Sequence, residues 1–168
     1  MKLTDILTVD EWAALEKEIN EKYGLNASVF DVDGVRITDF KKWANKLCPV
    51  IKADSDGASY ICAMAHQEVA AEAERTKEPV ISECDAGFVK VGAPIFVNNE
   101  FLGVIGGCGY LLDDGEVDAF LVMKTIGNSE EEIERLAEDT SSMSTDEAEE
   151  LAAYLKNLVA DITAKVGK

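Results

Sequence analysis

The residues of this 168-residue chain with the widest chemical range are four cysteines, Cys48, Cys62, Cys84 and Cys108, and the single histidine, His66. Gaps of 13, 3, 17 and 23 residues separate them in chain order. Thiolate and imidazole are the donors that zinc, iron and iron–sulfur clusters take, and converging thiolates hold a metal without any catalytic group. The spacing is looser than a paired Cys-x-x-Cys site, so buried or independent thiols compete with a metal centre as its explanation. By ligand softness a four-thiolate site admits zinc, iron or an iron–sulfur cluster.

One histidine excludes a two-histidine metal site and leaves few acid–base arrangements. Cys62 and His66 stand four residues apart, on one face of any helix that carries both. His66 is then an alternative metal ligand, the base of an activated thiolate pair, or a partly exposed helical histidine. Residues 36 to 52 hold Arg36, Lys41, Lys42, Lys46 and Lys52 against Asp39 alone, and Cys48 lies among them. Positive neighbours stabilise a thiolate where the side chains converge. No phosphate-cradling GxxxxGK[ST], HExxH or GxSxG is present. Asp31 and Asp33 in FDVDG suggest phosphate transfer only weakly, and Asp33-Gly34 reads better as a turn.

With 33 acidic against 16 basic side chains, the chain carries a formal charge of -17. That charge opposes contact with phosphate backbones or anionic lipid, which excludes nucleic acid and membrane as first partners. Residues 113 to 150 hold 14 of the acidic side chains and 2 basic ones, the pattern of a solvated helical surface. The segment MKLTDILTVDEW has no apolar block of signal-peptide type, so the expectation is a cytoplasmic protein with reduced thiols.

The elements that must position these residues follow from periodicity and caps. Thr8 with Glu11 opens a first helix that ends before Gly24. ASVFDVDGVRIT predicts two antiparallel strands around Asp33-Gly34. A second helix is expected over 39 to 47, stopped by the Cys48-Pro49 step. A third spans about 57 to 77 and carries Cys62 and His66. PVISEC reads as a short strand, and GFVKVGAPIFV, Asn98-Asn99-Glu100 and FLGVIGGCGYLL as a hairpin. Gly103, Gly106, Gly107 and Gly109 around Cys108 mark a bulge or a cavity wall. Three helices follow, the last capped by Ser144 with Glu147. Its stripe of Leu151, Leu155, Leu158, Ile162 and Val166 fits a packing edge or a homodimer seam equally well. The expected architecture is α+β: one domain with a central antiparallel sheet of about five strands, flanked by helices on one side, and a long C-terminal helix. It divides into 1–24, 25–112 and 113–168.

Cys48, Cys62, the turn Cys84-Asp85-Ala86-Gly87-Phe88, Pro94-Ile95 and Gly106-Gly107-Cys108 occur in an order and spacing that resembles the PocR-type sensory domain family. There the turn reads Cys-His-Ala-Gly-Leu and the late element Gly-Gly-Gln. The resemblance implies a PAS- or GAF-like fold with a small-molecule cavity, set before a signalling output in bacteria and archaea. It implies ligands such as diols, and cavity positions at Asp85, Gly106 and Gly107. Asp85 replaces the histidine and Cys108 the glutamine, which removes a polar lining residue and supplies a fourth thiol.

The reading that results is a non-enzymatic cytoplasmic sensor in which Cys48, Cys62, Cys84 and Cys108 hold a metal or iron–sulfur centre. The cluster is favoured over zinc because a sensor needs a responsive centre. Two rivals stand beside it: a metal-free sensor of alcohols, diols or organic acids, and a thiol redox switch or enzyme built on Cys62 and His66. The expected partners are a small-molecule or redox signal and a signalling output, either a separate protein or a fused domain. The chain is accordingly either a stand-alone sensor or a fragment of a longer protein.

Overall fold

The computed structural model describes residues 1–166. Helix α1, Val9–Tyr23, starts as its sequence requires. The Thr8 hydroxyl accepts from Glu11 N at 3.2 Å, and the Glu11 carboxylate accepts from Thr8 N at 2.7 Å. Gly24, at φ 81°, ends the helix in the left-handed conformation that glycine adopts without strain. Trp12, Glu16, Ile19 and Asn20 form its buried face.

Strand β1, Asn26–Asp31, follows, but the second strand expected after Gly34 is reduced to a single bridge between Phe30 and Arg36. The Asp31 carboxylate closes the turn by accepting from Asp33 N and Val35 N at 2.9 and 3.0 Å. Beyond it the Arg36 guanidinium is drawn off the sheet edge towards Glu16 and the Ala27 carbonyl.

The helix expected over 39 to 47 is absent, and α2, Cys48–Ala53, begins where that helix was expected to end. Pro49 lies in its first turn, where the missing N–H has no partner to lose, so this proline starts a helix instead of stopping one. Asn45 takes the capping role, accepting from Leu47 N and Cys48 N at 2.9 and 2.7 Å.

The third helix forms in three parts: a short turn α3, Ser55–Gly57, a π-helical segment, Ala58–Ala63, and α4, Met64–Thr76. Strands β2, Val80–Glu83, β3, Val89–Val97, and β4, Glu100–Cys108, then complete one antiparallel sheet in the order β1-β4-β3-β2. Asn98 and Asn99, at φ 50° and 65°, make the two-residue turn between β3 and β4. The sheet therefore has four strands where about five were expected. The short pieces β5, Leu111–Leu112, and β6, Ser142–Met143, pair in parallel as a separate ribbon.

Helices cover both faces of the sheet, not the one face expected, because both sets of alternating side chains are apolar. Ala27, Val29, Val91, Ala93 and Ile105 pack with Trp12 and Ile19 of α1 and with Leu151 and Leu155 of α7, Thr145–Thr163. Phe30, Val80 and Val104 point the other way, onto Val69, Ala70 and Ala73 of α4. A third cluster joins Leu47, Ile51, Ile61 and Phe88 to Val122 of α5, Ala119–Ile126, and Ile133 of α6, Glu130–Ala137.

Leu151 and Leu155 are fully buried, and Leu158, Ile162 and Val166 pack against the same cluster. The stripe of the C-terminal helix is thus turned into the core of its own domain. Most acidic side chains of 113–150 are exposed, as a solvated surface requires. No helix among the described residues is long and apolar enough to cross a membrane.

Candidate functional site

On the α4 side of the sheet lies a cavity of about 70 Å³. Its floor is the polar row of the sheet: Asn26 and Ser28 from β1, Lys90 from β3 and Cys108 from β4. Asn26, Cys108 and Lys90 are direct cross-strand neighbours, with Cys108 between the other two. Helix α2 adds Cys48, Ile51 and Lys52, and the π segment with α4 adds Ile61, Cys62, Ala65 and His66. Cys84, Ala86 and Phe88 close one side, and Arg36, Lys41 and Trp43 of the irregular segment before α2 close another.

All four cysteines therefore border one pocket, each from a different part of the fold, and all four are free thiols. The π segment is placed where a changed helical repeat matters, because it sets the direction of Cys62 relative to His66 further along. Asn45 fixes Cys48, its Nδ2 donating to the sulfur at 3.1 Å and to the Gly109 carbonyl at 2.7 Å. A tight turn fixes Cys84, with Gly87 N donating to the Cys84 carbonyl and Cys84 N to the Phe88 carbonyl, both at 2.9 Å.

Burial pushes the Cys48 thiol well above its ordinary value, and Cys108, Cys84 and Cys62 push the same way against the Asn45 hydrogen bond. Cys62 is pushed up to about 11 by burial, with Lys52 opposing. Cys84 is raised for the same first reason, with the Phe88 backbone opposing. The cationic stretch 36–52 therefore does not make Cys48 a thiolate, since burial outweighs it. Among the described residues, no three His, Cys, Asp or Glu side chains stand close enough to share a single metal ion.

His66 stacks on Phe30 with ring centroids 4.6 Å apart, and its buried Nδ1 has no hydrogen-bond partner. Burial lowers its pKa to about 2, helped by Lys90, Lys52 and Arg36, so the ring is neutral. A raised thiol beside a neutral imidazole is the reverse of an activated thiolate–imidazolium pair.

The cavity positions implied at Asp85, Gly106 and Gly107 are corrected by the geometry. Asp85 is exposed at the tip of its turn, outside the pocket. Gly107 faces the opposite core, since a Cβ there would stand 2.9 Å from that of Leu25. Gly106 pairs with Ser28 in the sheet, and a Cβ on it would come within 1.9 Å of the Val91 carbonyl; its role is close backbone approach, not lining.

Sequence reasoning missed Ser28, Arg36 and Lys90 as pocket residues. Lys90 is 3% exposed, in a strand whose other residues are all apolar, and Ser28 is likewise 3%, between the buried Ala27 and Val29. A polar residue in such a run is the signal that would have found them. Arg36 reaches the pocket while its guanidinium donates to Glu16 Oε2 at 3.2 Å, to the Ala27 carbonyl at 2.7 Å and to the Phe40 carbonyl. Glu16, fully buried on α1, also accepts from Val29 N at 2.9 Å and from the Thr38 hydroxyl.

No curated protein matches the chain. The family model described as the sensory domain found in PocR matches residues 5–166, which takes in the fold from α1 to the end of α7. An α+β sheet flanked by helices agrees with that match, and the chain belongs to the family of sensory domains found in PocR.

Proposed function

We propose that this sensory domain detects its signal through an iron–sulfur cluster held by Cys48, Cys62, Cys84 and Cys108, acting in the cytoplasm without catalysis. The observation that carries the reading is that four thiols from four separate parts of the fold border one pocket. In a 4Fe–4S cluster each iron takes its own cysteine, so the sulfurs need not meet at a point as they must around zinc. Loading iron would displace the thiol protons, and Arg36 and Lys52 would offset the charge that results.

Change at the cluster alters the packing of the cysteine-bearing segments, and the output is a partner protein or a domain joined to the C-terminal helix. The shift requires the cluster states to favour two conformations unequally. The raised Cys62 thiol and the neutral His66 ring support a non-catalytic role.

The test is iron, zinc and acid-labile sulfide content of protein purified without oxygen. Iron and sulfide in near-stoichiometric amounts, lost sharply in each single Cys→Ser variant, are expected. Zinc without sulfide would make the site structural and overturn the reading. Absence of all three would leave the cysteines as lining around an organic ligand.

A further inference from the structure

The pocket is lined by Arg36, Lys41, Lys52 and Lys90 and by no acidic side chain, in a chain of net charge -17. Arg36 is partnered by Glu16, but Lys90 is not. Lys90 is 3% exposed, forms no ion pair or side-chain hydrogen bond among the described residues, and rests its ammonium 5.2 Å from the Phe30 ring. A buried cation without an anion is costly, and the ring face replaces only part of its lost hydration. Two further groups at the same place lack partners, the Ser28 hydroxyl and His66 Nδ1. Unsatisfied buried donors are rare, and here two stand with an unpaired ammonium around one cavity.

The sheet register carries Ser28 and Phe30 away from Cys108, and the Lys90 side chain, although its residue pairs with Cys108, reaches along the same face to Phe30. Cys108 lies opposite Asn26, and Ser28 is two residues further along β1, roughly 7 Å away at strand spacing. Phe30, the next residue on that face, carries the His66 ring and the Lys90 ammonium. The polar groups thus converge on the inner end of the pocket, past the Cys108 row.

We propose that this inner end is an anion subsite, in which Lys90 and Ser28 bind the carboxylate of a small organic acid whose short hydrocarbon part lies against Ile61 and Ala65. A carboxylate accepts from an ammonium and a hydroxyl together, and charge assistance strengthens both bonds. The donors are two side chains, without the nest of backbone N–H groups that commonly cradles phosphate. The small cavity with its apolar walls suits a few heavy atoms with one charged end. The subsite rests on the pocket being the place of sensing and is independent of what the cysteines hold.

The test is calorimetric titration of the purified chain with sodium acetate, propionate and butyrate, against sodium phosphate, sodium chloride and a small diol. Iron content is measured on every sample. At least one carboxylate is expected to saturate, with affinity falling at least tenfold in Lys90→Met and several-fold in Ser28→Ala. Lys156→Met, on the exposed surface, is expected to bind as the parent does. Ligand-free Lys90→Met is expected to melt higher than the parent, because an unpaired buried cation has been removed; if that variant does not fold, Ser28→Ala and His66→Gln carry the comparison. Saturation by no carboxylate, saturation by phosphate instead, or affinity unchanged in the folded variants would each overturn the subsite. A protein without iron that binds a carboxylate refutes the cluster and keeps the subsite, and an iron-loaded protein that binds none does the reverse.

Discussion

Acid should destabilise this domain through His66 before the pH reaches the carboxylate range. Folded His66 is held near 2, against an ordinary value of 6.5, by burial and by Lys90, Lys52 and Arg36. The unfolded chain therefore takes up the imidazole proton first as pH falls. The contribution is present in full above pH 6.5 and declines with every unit below it, until the folded value is reached. At pH 5.5 the unfolded ring is about nine-tenths protonated and the folded ring is not, a loss of about 1.4 kcal/mol that grows to about 2 kcal/mol at pH 5. The figure is insensitive to the depth of the depression, since any folded value below about 4.5 gives nearly the same loss at pH 5.5.

Glu16 acts with the opposite sign. Burial raises its pKa in spite of the Thr38 and Arg36 contacts, so the folded state takes up its proton first and gains stability on acidification. The assay must therefore isolate His66. Urea unfolding of metal-free, reduced parent and His66→Gln at pH 7.5, 6.5 and 5.5 does so, because every other titrating group is common to both. The stability difference between the two proteins should shift by about 1.4 kcal/mol in favour of the variant between pH 7.5 and 5.5. Parallel pH profiles with equal urea slopes would refute the burial and charge argument for His66.

Two further perturbations test the frame around the pocket. Removing the Glu16 carboxylate in Glu16→Ala strands the Arg36 guanidinium and Val29 N, and urea unfolding should show a loss of about 3–5 kcal/mol; Glu16→Gln, which keeps an acceptor, should lose less. Leu155→Ala, at a fully buried site on the C-terminal helix, should cost about 2–5 kcal/mol, with Leu158→Ala, at a half-buried position, costing clearly less in the same assay.

The elements set by local chemistry were legible before the fold was known. The Thr8–Glu11 capping box, the Asn98-Asn99 hairpin and the Ser144 cap each act within a few residues, so the sequence pattern and the geometry coincide. Reading failed where distant residues decide. Strand pairing after Gly34 goes no further than the bridge at Arg36, whose side chain reaches Glu16, 20 residues away. The expected helix over 39–47 gave way to a segment whose Asn45 binds the Gly109 carbonyl, 64 residues on. The Pro49 step was legible as a helix boundary, but which side the helix lay on depended on Asn45 serving as its cap. Of the site, the cysteines and His66 were visible by residue type, and their shared border on one pocket follows from the fold. Lys90 and Ser28 were hidden because a strand buried on both faces conceals the alternation that would set a polar residue apart.

Four departures from ordinary folding practice coincide in this one pocket. A lysine is buried without an acid, a hydroxyl and an imidazole nitrogen lack partners, a helix changes to π-helical winding, and four thiols face one space. Each alone is a tolerable irregularity. Folding has no use for their concentration, because an apolar residue at Lys90 or Ser28 would pack the same sheet face with no polar group left unsatisfied. The rest of the molecule follows the rules closely, with capped helices, alternating strands and acidic side chains kept on the solvated 113–150 surface. Outside the pocket one further buried hydroxyl, that of Thr140, lacks a partner, and inconsistency concentrated in one place is what a binding site leaves in an otherwise consistent fold. The charge pattern specifies the occupant further: a strongly acidic protein has gathered basic side chains, and no acidic ones, around a cavity of about 70 Å³. An occupant that carries negative charge, as metal-bound thiolates or as a ligand carboxylate, complements that lining.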